Sequence, residues 1–355
     1  MPKRSLEDMD ENELAEKVAQ RCYSLFSSLP KTGKPTEHEW THLSCVVCVN
    51  DAGQIDVLSL GTGTKCLGKD QRCSKGLLIQ DQHAEVIARR CFLKYLYKQI
   101  DLFKSIKKSD IITSVCEHSK KFVINSLLKF YLFTSHTPCG EASILTDDVK
   151  KCKFNNPTKC LSKENGLYLK PGKGYQTDSL SCTNKIRRWL QLGIEGCLLS
   201  QLLSTPLYLD GIIIGKCSAR NMDTLECLFS PCQILFSNSQ FEYSPEAVSE
   251  NSKSCSNSIG WISDVESFVT TDGYLLGKTK KARLVEKHSP PISKYALFKS
   301  FLRLKQLNNF STYAEAKLAC KDYNVRRQQF MIKNPSWIQT NPQQYYQIKI
   351  EDDEK

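Results

Sequence analysis

Apolar and polar positions along this chain switch between two periods, and the switches mark out helices and strands in turn. After Asp10, Leu14, Val18, Cys22 and Leu25 recur every three or four residues, which predicts a helix closing near Pro30. Residues 31–39 contain Pro and Gly and read as a loop. Residues 43–49 are an uninterrupted apolar run, read as a buried strand. Asp51-Ala52-Gly53 is a turn before a second strand at 55–60, so the two form a hairpin.

A second helix is predicted where Ala84, Ile87, Ala88 and Cys91 form an apolar stripe, with Asp81 as N-cap and an end near Tyr97. A polar Lys- and Ser-rich connection covers 104–121, and 127–134 reads as an interior strand. Residues 147–174 are irregular and basic, 207–215 a strong buried strand, and 244–258 a mobile Ser-, Asn- and Glu-rich loop. The basic run 277–283 suits contact with phosphate, and 299–307 and 313–331 read as closing helices.

Composition narrows the class. At 355 residues and 40% hydrophobic content, the chain can bury a large core in one big domain or two closely joined ones. No apolar run approaches membrane-spanning length, and Met1-Pro2-Lys3-Arg4 leads into acidic residues instead of an apolar signal region. Seventeen cysteines without a signal peptide argue for reduced thiols, in the nucleus or cytoplasm. Cys45 and Cys48 lie inside the first strand and read as structural, since no second pair follows at zinc-finger spacing. The net charge of +11 attracts phosphate backbones, although charge alone fits a solvated basic protein equally well.

The chemistry lies at His83-Ala84-Glu85 and Pro138-Cys139-Gly140. A His in the first turn of a helix can reach a metal off the helix end, leaving Glu85 free to move protons. Pro138 is expected to open a further helix whose N-terminal field gives Cys139 thiolate character. A nucleobase-deaminase signature asks for P-C-x-x-C, and Ala142 stands where the second Cys belongs, so a third ligand must come from elsewhere. The Gly61-Thr62-Gly63-Thr64-Lys65-Cys66 turn is not a P-loop; its place between hairpin and helix makes it a candidate lip of the pocket.

Together with Ser181-Cys182-Thr183-Asn184-Lys185-Ile186-Arg187-Arg188-Trp189, these motifs resemble the deaminase domain of RNA-specific adenosine deaminases. In that family the Cys of this segment is the third zinc ligand, which points to Cys182. The stretch Leu29-Pro30-Lys31-Thr32-Gly33-Lys34-Pro35, Glu39-Trp40, Ser135-His136-Thr137 and Lys170-Pro171-Gly172-Lys173-Gly174 are similar to the tRNA-specific branch, which acts 3′ of the anticodon of alanine tRNA. The resemblance spans nearly the whole chain.

It implies one adenosine-deaminase (editase) domain over 1–355, with a zinc core at about 40–220 and a C-terminal part at about 221–345. The implied fold is α/β, a cytidine-deaminase-like α/β/α sandwich with an added C-terminal helical part. The implied reaction is zinc-dependent hydrolytic deamination of adenosine to inosine in tRNA. Zn²⁺ would be held by His83, Cys139 and Cys182, and Glu85 would take a proton from water that attacks C6.

A buried inositol hexakisphosphate is also implied, held by Arg89, Arg90, Lys185, Arg188, Trp189, Lys294, Tyr313, Lys317, Tyr323, Arg327 and Trp337. Read without the family, Lys317, Lys321 and Arg327 would be the solvated face of a helix. Asp81 and Lys185 would relay between anion and zinc, and Thr64 and Lys65 would lie near the target nucleotide. Three departures stand out: Gln80 and Thr340 replace the Asn and Lys of the double-stranded-RNA enzymes, and Ser143 replaces an Arg. Other structured or double-stranded RNA as substrate, and a noncatalytic RNA-binding role, are the alternative readings; no obligate protein partner is evident.

Overall fold

The protein is described by a computed structural model covering residues 9–146, 161–163, 167–170, 177–216, 222–279, 281–305, 310–337 and 348–350. Thr340, most of the basic 147–174 segment and residues 171–174 of the Lys170 phrase lie outside the described residues.

The core is an eight-stranded mixed sheet. In chain order its strands are β1 (Leu43–Val49), β2 (Ile55–Thr62), β3 (Lys129–Thr134), β4 (Gly211–Ile214), β5 (Gln233–Phe236), β6 (Asn257–Ile262), β7 (Glu266–Thr271) and β8 (Tyr274–Leu275). Their spatial order is β5-β4-β3-β1-β2-β6-β7-β8. Strands β3, β4 and β5 are parallel, and β1 runs antiparallel to both β3 and β2. The sheet therefore takes four of its strands from beyond residue 221.

Every residue of β1 is buried, and its side chains alternate between two cores. Val46 and Cys48 join one cluster, while Leu43, Cys45, Val47 and Val49 join the other. This is the sidedness expected of a strand covered on both faces. Helix α1 (Glu11–Ser28) covers the second face through Leu14, Val18, Cys22 and Phe26. Helix α2 (Ala84–Ile106) covers the first through Ile87, Cys91, Phe92, Tyr95 and Ile100.

Short helices follow: α3 (Glu141–Thr146), α4 (Cys182–Leu192), α5 (Gly196–Leu199) and α6 (Met222–Phe229). The C-terminal helices are α7 (Lys294–Lys305), α8 (Tyr313–Leu318) and α9 (Lys321–Lys333). They stand on the α2 side, where Phe298, Phe301, Tyr323 and Phe330 join its cluster. Among the described residues no helix is long and apolar enough to cross a membrane.

Several local expectations need correction. Asp81 does not cap α2: it begins the short strand Asp81–His83, paired with Thr64–Cys66, and His83 occupies the cap position. Helix α2 runs past Tyr97 to Ile106, because Ile100 and Phe103 continue its buried stripe. The 104–121 connection holds strand Ile112–Val115, paired with Phe122–Ile124. Residues 253–254 and 257–262 are strands, so the 244–258 segment is partly ordered into sheet. The helix expected at 313–331 is two helices, broken near Cys320.

Candidate metal centre and anion cavity

Three ligand atoms, one each from His83, Cys139 and Cys182, lie within 4.8 Å of one another. Different elements bring them together. His83 ends the short strand and caps α2; Cys139 follows β3; Cys182 is the first residue of α4. The Ser181 side chain accepts a hydrogen bond from the Asn184 amide, which fixes the start of α4 and so the Cys182 thiol.

Cys139 Sγ is 3.7 Å from His83 Nδ1. Zinc bonds of about 2.3 Å to sulfur and 2.1 Å to nitrogen would place two tetrahedral ligand atoms about 3.6 Å apart, so the donor set fits that ion. Three protein ligands leave a fourth position, as catalytic zinc sites do. Glu85 is buried, with Oε2 3.1 Å from Cys182 Sγ. It borders the ligand cluster without belonging to it.

Pro138 does not open a helix; residues 138–140 form a turn, and α3 begins at Glu141. Gly140 has φ +106°, and a Cβ there would fall 2.3 Å from Ser181 Oγ, so this turn needs glycine. The N-terminal field acting on Cys139 is that of α4, whose first amide, Cys182 N, donates to Cys139 Sγ at 3.3 Å. A hydrogen bond from Cys182 outweighs burial and, with nearby His83 and Lys170, holds the Cys139 thiol well below the usual range. Burial and that same bond push Cys182 up.

Behind the cluster lies a buried ion network that the sequence reading placed only in part. Lys170, with a fully buried side chain, sets Nζ 2.9 Å from both carboxylate oxygens of Asp81 and 3.1 Å from Cys182 Sγ. Lys185 pairs with the same Asp81 carboxylate, and Ser179 Oγ donates to it at 2.9 Å. Burial would raise the Asp81 carboxyl, but Lys170 and Lys185 hold it well below the carboxylate range. Burial would lower Lys170, but Asp81 and Cys182 hold it well above the ordinary lysine value. Lys170 was part of a quoted family phrase, yet nothing in its neighbours along the chain marks it as buried.

Lys185 leads from this network into a cavity of about 450 Å³. Arg72, Arg89, Arg90, Lys185, Arg188, Lys294, Lys317 and Arg327 line it, against two acids, Asp81 and Asp178. Trp189, Tyr313, Trp337 and Gln80 also stand in its wall. Of the residues expected there, Tyr323 instead lines an adjoining cavity of about 190 Å³. Arg89 and Arg90 are held by main-chain carbonyls, Arg89 Nε donating to Ile194 O at 2.9 Å and Arg90 Nε to Ile292 O at 2.7 Å. The Arg89 guanidinium also lies 5.0 Å from the Trp189 ring.

This much positive charge out of bulk water is unfavourable. Burial first, then Arg90, Lys317, Arg72 and Lys185, bring Lys294 down to about 7. Burial lowers Lys317 as well, and Arg89 to about 10. Two donors on the wall, Gln80 Nε2 and Trp337 Nε1, are buried without a hydrogen-bond partner among the described residues. Excess cations and orphaned donors together fit a multiply charged anion, which would satisfy both. Arg72, which forms an ion pair with Asp178, was missed because it stands in a short polar loop with no periodic signal.

Thr64 pairs with His83 in the two-stranded ribbon, and its Oγ1 is buried without a partner among the described residues. Lys65 Nζ bonds Ser254 Oγ. Ser143 turns inward, its hydroxyl 2.9 Å from Pro138 O, and braces the Cys139 turn.

Comparison with known proteins adds independent findings. The model of the adenosine-deaminase (editase) domain matches residues 59–340. The tRNA-specific adenosine deaminase 1 of Drosophila melanogaster is 30% identical over 334 residues, covering 82% of each chain. The protein of the same name from Homo sapiens is 27% identical, covering 94% of this chain and 99% of its own. The Drosophila double-stranded RNA-specific editase Adar is 33% identical over 182 residues, 45% of this chain and 27% of its own. With the family match running through both the ligand cluster and the cavity wall, this chain belongs to the adenosine-deaminase (editase) domain family.

Proposed function

We propose that this protein is a zinc-dependent deaminase that converts adenosine to inosine in tRNA, next to the anticodon of alanine tRNA. The observation that carries the reading is the convergence of His83, Cys139 and Cys182 with Glu85 beside them. The tRNA-specific names of relatives matched over most of their length favour tRNA over duplex RNA.

Zinc, when bound by these three residues, supplies the Lewis acidity that makes a water nucleophilic near neutral pH. Glu85 is the proton carrier: its carboxylate takes a proton from the attacking water and delivers one to the departing amine. Lys170 and the α4 amide stand against the Cys182 and Cys139 sulfurs, where they favour the charged form each thiol takes on binding the metal. The basic cavity binds inositol hexakisphosphate as a structural group, with Lys185 and Asp81 joining it to the zinc side. Unpaired thiols at all fourteen described cysteines suit the reducing nucleus or cytoplasm.

The test is inosine formation on a panel of purified tRNAs and on a plain RNA duplex, with metal content measured in parallel. Glu85→Gln should keep its zinc and lose on the order of 10² to 10⁴ in kcat. A Glu85→Gln protein as active as the parent would end the catalytic assignment. Faster turnover on the duplex than on any tRNA would end the substrate assignment.

A further inference from the structure

His42 stands immediately before β1, close enough to His83 for the two imidazoles to be coupled electrostatically. Its main-chain oxygen accepts from Gly63 N at 3.2 Å, and Gly63 O in turn accepts from Ala84 N at 3.0 Å in the first turn of α2. Next in sequence, Leu43 N donates to Ser135 Oγ at 2.9 Å, which ties this corner to the end of β3. His42 is thus bound through the backbone to both segments that carry His83 and Cys139.

Its side chain is held differently. The His42 ring lies 4.8 Å from that of His136 and 5.2 Å from that of Trp40. His136 is fixed at both nitrogens, with Nε2 3.0 Å from Glu246 Oε1 and Nδ1 3.2 Å from Thr137 O. His42 has no hydrogen bond to its imidazole among the described residues, and its Nδ1 is buried without a partner. An orphaned buried N–H is rarer than an orphaned lone pair, so the proton belongs on Nε2, at the edge of the ring that stays accessible. Burial, then His136 and His83, push the His42 imidazole well below the ordinary histidine value, so that edge is a neutral donor.

A donor flanked by two tilted rings, with no hydrogen-bond partner among the described residues, is prepared for something that arrives. We propose that His42 is a substrate-binding residue whose Nε2–H donates to an acceptor on the nucleotide being deaminated, either adenine N7 or a phosphate oxygen. This rests on the reading of the protein as an RNA adenosine deaminase. His136 and Trp40 are positioning residues for it.

The test compares kcat/KM of the zinc-loaded parent with His42→Phe, which keeps a flat ring but has no donor, and His42→Gln, which returns an N–H near the Nε2 position. Each is assayed on a tRNA carrying adenosine, 7-deazaadenosine, or adenosine with a 5′ methylphosphonate at the target. His42→Phe should lose about tenfold in kcat/KM on the natural tRNA, with zinc content and melting temperature unchanged. His42→Gln should recover to within about threefold. One of the two modified tRNAs should cost the parent a similar factor and cost His42→Phe nothing further, which names the acceptor.

The proposal is overturned if His42→Phe stays within about twofold of the parent, if Phe and Gln fall equally, or if both modified tRNAs behave additively with His42→Phe. A parent protein that makes no inosine would overturn the underlying function as well, and is told apart by that result alone.

Discussion

Replacing Lys170 by Met tests the ion network behind the metal ligands most directly. The Lys170 side chain is fully buried and that of Asp81 is 9% exposed, with Nζ 2.9 Å from both carboxylate oxygens. Removing one partner of a buried pair strands the other, at about 3 to 5 kcal/mol. Lys185 still reaches Asp81 and is itself 21% exposed, so the lower end, about 3 kcal/mol, is expected. Asp81→Asn should be costly for the complementary reason, since it takes from the buried Lys170 ammonium its main counter-charge and leaves it the Cys182 sulfur at 3.1 Å and the more distant Glu85.

The double variant removes both stranded charges, so its loss should fall short of the summed single losses by at least about 2 kcal/mol. Urea denaturation of the four proteins, all loaded with zinc, measures this coupling. Additivity within about 0.5 kcal/mol would refute the network. The pH dependence carries the same information with a definite sign. Asp81 is held below its unfolded value, so its stabilisation is present above about pH 4 and is lost as pH falls toward the lower folded value. Asp81→Asn should lack that acid limb.

Other outcomes follow from the cavity and the sheet. Lys294, lowered to about 7 from 10.5, is penalised in the anion-free fold at pH 7 and below, and the penalty fades as pH rises toward 10. Its ceiling is about 5 kcal/mol, reduced because the half-buried side chain meets cavity water. Melting temperature of anion-free protein should therefore rise with pH above 7 more steeply than that of Lys294→Met; equal slopes would contradict this. Inositol hexakisphosphate should bind with proton uptake near pH 7 to 8, seen by calorimetry in buffers of different ionisation enthalpy, and binding without proton uptake would contradict it. At Gly61, a Cβ would fall 2.4 Å from Ala88 N and 2.5 Å from Ala84 O, both backbone. Gly61→Ala should cost about 3 kcal/mol or more in urea unfolding by forcing β2 away from α2, and an unchanged midpoint would show that the contact relaxes freely.

The elements legible in the sequence were those whose own pattern sufficed. The run at 43–49 became β1 with the expected bounds, because seven apolar residues in a row satisfy a strand buried on both faces. The helix after Asp10 likewise matched α1. His83, Glu85 and Pro138-Cys139 stood out because their types and spacing are scarce. Cys182 needed the likeness of a longer segment, since no local spacing connects a thiol at the head of α4 with one at a turn 43 residues earlier.

What escaped the sequence shares a cause. Lys170 reads as one more lysine in a basic chain, Arg72 as a loop residue and His42 as a polar residue before a strand. Their roles depend on what the fold puts around them: a buried carboxylate, a cavity rich in cations, and two tilted rings beside an imidazole that has no hydrogen bond among the described residues. Periodicity and motif spacing record which face of an element is apolar and which side chains can bind a metal, so the chain itself determined its central strands, its main helices and its ligand types. Burial and long-range pairing are set by groups distant in sequence, and they alone decided which cations face a common space and which imidazole has no hydrogen bond among the described residues.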